Sequence, residues 1–125
     1  KIEKILKDKF NLLGKNISVY DTYDYVDIGY VFSNSTVAFE LIQNRKKVLV
    51  YWPFKSFAHP FSHFSPLLVA SNPDDFILKS QKLIEMEYSD YEEYINPTLE
   101  YCLNTDLKNT ALKRVVGLVE NNDLI

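Results

Sequence analysis

Apolar positions along the chain alternate between two periods. From Lys1 to Leu13, residues Ile2, Ile5, Leu6, Phe10 and Leu13 fall on one stripe with lysines and acids opposite. That spacing predicts an amphipathic helix, with Gly14 as its stop. Asn16 to Tyr20 (NISVY) reads as a short β-prone segment, and Asp21 to Val26 as a polar, aromatic connection about one helical turn long. Ile28 to Ser33 (IGYVFS) predicts a buried strand. Ser35 to Gln43 predicts a helix capped by Asn34 or Ser35, ended by Asn44 in the left-handed conformation. Lys47 to Trp52 (KVLVYW) predicts a further strand, stopped by Pro53.

Phe54 to Ser65 lacks a period and reads as a loop, followed by a short strand at Leu67–Ala70. Asn72-Pro73-Asp74-Asp75 is a helix start: an Asn cap, a proline at the first position and acids in the first turn. That helix is expected to reach about Met86. Tyr88 to Leu103 and Asp106 to Asn121 predict two more, with interruptions near Pro97 and Asn104. Strands alternating with helices predict an α/β fold, a Rossmann-like three-layer domain with a short parallel sheet and a helical C-terminus. Ligands of such sheets bind outside the carboxyl ends of the strands.

Composition narrows the chemistry. The 125 residues suit one domain, and 46% are apolar, as in globular proteins. The net charge of −3 argues against a nucleic-acid partner, which calls for a basic field. Cys102 is the only cysteine, so no intramolecular disulfide can form, and a reducing, cytoplasmic compartment is expected. No apolar run approaches the roughly 20 residues of a membrane-spanning helix. With only three glycines, the chain has neither G-x-G-x-x-G nor a Walker A loop. Any phosphate site must then use helix-terminal amides and hydroxyls.

Ser33, Asn34, Ser35 and Thr36, followed by Glu40, meet that requirement. The first turn of a helix offers unpaired N–H groups and a partial positive charge, a ready site for a diphosphate. The hydroxyls add donors. Glu40 follows Thr36 by four residues on the same helix face, about 6 Å along the axis, within reach of a ribose or sugar diol. The plainer reading is an ordinary capped helix with a solvated acid, and spacing alone favours it.

The segment DIGYVFSNSTVAFELIQNRKKVLVYWP resembles the nucleotide-binding half of GT-B glycosyltransferases. Asp27 matches the acid that opens the family's strand. Ser33, Ser35 and Thr36 match its hydroxyl turn, and Glu40 its helix acid. Lys47 to Tyr51 matches the following strand, and Asn72 to Phe76 the start of a late helix. Asn44 to Lys46 depart from the family's usual glycine, and Lys47 from its proline. The tail from Tyr88 to Glu120 is similar to the capsule and surface-polysaccharide branches, which include CDP-polyol phosphotransferases.

The resemblance implies a nucleotide-sugar or CDP-polyol donor, its diphosphate at Ser33–Thr36 and its sugar or ribose at Glu40. It also implies a missing N-terminal domain, with residues 1–125 as the C-terminal half of a larger enzyme. The start at Lys1 rather than Met fits an excised or processed piece. Alone, the chain is expected to bind weakly and catalyse nothing. The full-length protein is expected in the cytoplasm, peripheral to the inner face of the membrane. No cofactor is implied beyond the donor substrate. Two other readings stay open: a nucleotide-sugar 2-epimerase-like enzyme, and a non-catalytic α/β binding module.

Lys55, His59 and His63 lie in the loop after the KVLVYW strand and are further candidates for donor contacts. A metal at the two histidines is not expected, because Pro60 disfavours a helix there and no third ligand is near in sequence. Asp21, Asp24 and Asp27 read as solvated loop acids, since a receiver-type site would need an acid ending a later strand. Tyr88, Tyr91, Tyr94 and Tyr101 recur at helical spacing and predict core packing or an interdomain surface.

Overall fold

The computed structural model describes residues 17–32 and 35–103. The expected helices at Lys1–Leu13 and Asp106–Asn121 lie outside them, as do Ser33 and Asn34. Three parallel strands, β1 (Ile28–Phe32), β2 (Lys47–Tyr51) and β3 (Val69–Ala70), form one sheet in the order β1-β2-β3. Among the described residues three α-helices accompany them: α1 (Val37–Gln43), α2 (Pro73–Glu85) and α3 (Tyr88–Leu103). This is the α/β architecture expected from the alternating pattern.

The strand register assigns the layers. Ile28 pairs with Lys47 and Phe32 with Tyr51, so Gly29 and Val31 share a face with Val48 and Val50. α1 covers that face so closely that a Cβ on Gly29 would stand 2.4 Å from Leu41 Cδ1. α3 packs beside α1. On the opposite face Tyr30, Phe32 and Tyr51 gather around Phe76 of α2. Both faces are therefore covered, and Val48, Leu49 and Val50 in the middle strand are fully buried. This explains why KVLVYW reads as continuous apolar sequence rather than an alternation.

Helix ends follow local chemistry. Asn72 Oδ1 accepts from the Asp75 amide at 2.9 Å, with Pro73 opening α2 as predicted. At the end of α1 the left-handed residue is Arg45 (φ 62°), not Asn44. Arg45 N–H bonds the Ile42 carbonyl and Lys46 N–H bonds the Leu41 carbonyl, the pair of bonds that defines a Schellman stop. Asn44 instead turns its side-chain amide onto the Glu40 carbonyl at 2.7 Å.

Other expectations shift with tertiary context. NISVY forms no strand over its described residues; a 3₁₀ segment runs over Val19–Tyr25, and the sheet has no fourth strand among the described residues. The last strand shrinks to Val69–Ala70 because Pro66–Leu68 is a 3₁₀ turn. The loop at 54–65 contains a second such turn, Pro60–His63. α3 continues through Pro97. The carbonyl that loses its i+4 amide donor to this proline belongs to Glu93, an exposed residue, while Thr98 and Leu99 are held in the core.

The tyrosine stripe of α3 ties loops to the core. Tyr91, fully buried, donates to the Lys46 carbonyl at 2.7 Å, and Tyr88 donates to the Arg45 carbonyl. Tyr94 accepts from the Leu67 amide at 2.9 Å. Burial raises the pKa of all three phenols. No helix among the described residues is long and apolar enough to cross a membrane.

Candidate functional site

The carboxyl ends of the strands converge on Phe32, Tyr51 and Ala70. Ser35 and Thr36 lead into α1. Ser35 Oγ accepts from the Val37 amide at 3.3 Å, so Ser35 satisfies an orphan donor two residues ahead. Thr36 occupies the cap position that was expected of Asn34 or Ser35, but has helical dihedrals (φ −64°, ψ −19°) and no side-chain capping bond. Thr36 is exposed, with its hydroxyl uncommitted to the helix end. Its carbonyl accepts from the amides of Phe39 and Glu40.

One turn along, the Glu40 carboxylate is held by two phenols. Tyr20 donates to Oε1 at 3.0 Å and Tyr23 donates to Oε2 at 2.7 Å. The two rings meet edge to face with centroids 5.7 Å apart. Tyr23 is 7% exposed and Tyr20 62%. The Tyr20 pKa is raised, first by its hydrogen bond to Glu40 and then by that residue's charge. The Tyr23 pKa is raised most by burial and then by Glu40. Both phenols therefore stay protonated donors across the physiological range.

Neither tyrosine was singled out by sequence reasoning. Their spacing of three in YDTYDY is the available signal, but Tyr20 falls in the expected β-prone segment and Tyr23 in the turn after it.

The three loop candidates separate. His59 is 2% exposed, enclosed by Trp52, Phe39 and Phe61 at centroid distances of 5.1, 6.0 and 4.6 Å. Its Nδ1 accepts from the Phe61 amide at 3.1 Å, which assigns the ring proton to Nε2. Burial lowers its pKa and keeps it neutral. A donor contact through His59 requires this aromatic cage to open.

His63 is exposed and stacks on Tyr101 of α3, with centroids 4.8 Å apart and planes inclined by 15°. Lys55 is exposed in the segment leaving β2.

Two hollows mark opposite ends of the sheet. At the carboxyl ends, Phe32, Tyr51, Pro73, Phe76 and Ile77 line an apolar hollow of about 370 Å³, inside the size range of small-molecule sites. At the amino ends, Asp27, Arg45, Lys46, Lys47 and Tyr88 contribute to a polar hollow of about 450 Å³. Lys47 Nζ there donates to the Met86 carbonyl at 2.5 Å.

No protein-family model matches the chain, and no curated protein or solved structure matches it.

Proposed function

We propose that the carboxyl edge of the sheet binds the diphosphate of a nucleotide donor, and that the chain is the donor half of a GT-B-like glycosyltransferase. The observation that supports this reading is the β1–α1–β2 unit. It sets an exposed Thr36 hydroxyl and the α1 amides beyond the end of β1, with Glu40 one turn along. A helix start at a strand's carboxyl end is where parallel sheets take phosphorylated ligands. Ser33 and Asn34, next to Ser35 in sequence, join the diphosphate site in this proposal, and Lys55 is the first cation in sequence after the end of β2.

The donor is a nucleotide sugar or a CDP-polyol. Its reaction is displacement at the anomeric carbon or at phosphorus. The amides and the Thr36 hydroxyl stabilise the departing diphosphate, an electrostatic role that needs no metal from this chain. An N-terminal domain supplies the acceptor site, and the full-length enzyme works in the cytoplasm at the inner face of the membrane. The test is calorimetric titration of the full-length protein with UDP and CDP, repeated for Thr36→Val and Glu40→Ala. Loss of affinity in both variants is expected.

One observation favours the non-catalytic module instead. Both Glu40 oxygens already have tyrosine donors, an arrangement that can serve packing alone. Absence of nucleotide binding by the full-length protein would support that alternative.

A further inference from the structure

The polar hollow at the amino ends of the strands lies at the opposite end of the sheet from the proposed nucleotide site. Its volume of about 450 Å³ is within the range of small-molecule sites. Three of its lining residues are the consecutive cations Arg45, Lys46 and Lys47, in a chain whose net charge is −3. Asp27 is the one carboxylate among its described lining residues, and Ile84 and Tyr88 contribute apolar surface. Three cations against one carboxylate leave an excess of two positive charges. Among the described residues the one ion pair joins Lys79 to Asp75, so no carboxylate neutralises the cations of the hollow there.

The backbone beneath these cations is fastened. Tyr88 donates to the Arg45 carbonyl, Tyr91 donates to the Lys46 carbonyl at 2.7 Å, and the Lys46 amide bonds the Leu41 carbonyl. Lys47 Nζ is held by the Met86 carbonyl at 2.5 Å. Among the described residues no hydrogen bond or ion pair engages the Arg45 guanidinium or the Lys46 ammonium. Arg45 also stands at φ 62°, where glycine would close the same Schellman stop without a Cβ clash. An arginine kept at a strained step points to a use for its side chain.

We infer that this hollow binds a phosphate monoester, with the Arg45 guanidinium on two of its oxygens and the Lys46 ammonium on a third. A phosphate monoester carries about −1.5 to −2 charges at neutral pH, which matches the excess in the hollow; a carboxylate would leave half of it uncompensated. The planar guanidinium pairs with two phosphate oxygens at once, and the ammonium adds a point charge. The fastened backbone holds both groups ready, so little order is lost on binding. A small soluble ester and the headgroup of a phosphatidic acid both present this group. The site stands whether or not the carboxyl edge takes a nucleotide.

The test is calorimetric titration of the full-length protein with glucose 6-phosphate, together with sedimentation against phosphatidylcholine vesicles with and without phosphatidic acid. Both are repeated for Arg45→Gly and Lys46→Gln. Arg45→Gly is expected to weaken binding by roughly 10–100-fold, the size of a charge-assisted hydrogen bond or more, while its urea midpoint rises as the strain is relieved. Lys46→Gln is expected to weaken binding about 3–10-fold. It leaves the backbone of the turn unaltered and reads out even if Arg45→Gly folds poorly. Binding of glucose 6-phosphate marks a soluble ester as the source, and binding to phosphatidic acid vesicles alone marks a lipid headgroup; either supports the inference when the variants weaken it. Binding indifferent to both variants, or no binding of either probe, overturns it. An Arg45→Gly protein that loses stability together with binding overturns it as well, because the arginine would then be holding the fold.

Discussion

At Gly29 the helix α1 leaves no room for a side chain on the sheet, and replacing this glycine with alanine tests the packing that aims α1. The added methyl would lie 2.4 Å from Leu41 Cδ1, 3.2 Å from Cδ2 and 3.4 Å from Cγ. Carbon atoms pack best near 3.5–4.0 Å, so the Leu41 methyl must retreat by about 1 Å. Leu41 is buried in the core, with Ala38 and Ile42 beside it on the same helix. Overpacking of this kind costs roughly 1–3 kcal/mol. Gly29 does not have a positive φ, so alanine also recovers about 0.5–1 kcal/mol by restricting the unfolded chain. The expected net loss is about 1 kcal/mol, or roughly 3–6 °C in Tm for a domain of this size.

Urea unfolding followed by the fluorescence of Trp52, the single tryptophan and a buried one, measures it. Leu41→Val shortens the obstructing side chain, so the double variant should lose less than the two single variants added together. Strict additivity, or a Gly29→Ala protein more stable than the parent, would refute the proposed contact.

Burial gives His59 a pH signature. Its folded pKa lies below the ordinary 6.5, so near that pH the unfolded chain takes up a proton that the folded chain refuses. Stability is fully present above about 6.5 and falls as pH drops through the window between the unfolded and folded values. In His59→Gln the urea midpoint should vary less with pH across that window, and an unchanged slope would count against the cage. Tyr91→Phe removes the donor to the buried-side Lys46 carbonyl and should cost about 1–2 kcal/mol in the same unfolding assay. A loss within error would mean that water replaces that phenol.

How legible the molecule was depended on how local each signal is. Asn72-Pro73-Asp74-Asp75 predicted its helix correctly because cap, proline and acids all act within one turn. The parallel sheet followed from the alternation of short apolar runs with amphipathic ones. The Schellman stop was misplaced by one residue because the Asn44 amide found the Glu40 carbonyl, passing the left-handed step to Arg45. NISVY lost its strand character to the 3₁₀ segment that brings Tyr20 and Tyr23 onto Glu40, contacts spanning 20 and 17 residues.

Among the site candidates, Glu40 follows Thr36 by one turn, its amide bonded to the Thr36 carbonyl. The two loop histidines separate, His59 into a cage with buried Phe61 and with Trp52 and Phe39 from the neighbouring elements, and His63 onto exposed Tyr101 of α3. Such assignments depend on which aromatic residues meet in space, and a period along the chain does not encode that.

The central claim is that the turn opening α1, with Glu40 behind it, holds a nucleotide diphosphate and its sugar. Calorimetric affinity of the full-length protein for UDP and CDP tests it most directly, with Thr36→Val and Glu40→Ala measured alongside. Loss of a hydrogen bond to a charged group is worth about 1.5–3 kcal/mol, so affinities should fall by roughly 10–150-fold in each variant. Equal affinity in wild type and both variants, or no binding by any of them, would contradict the account.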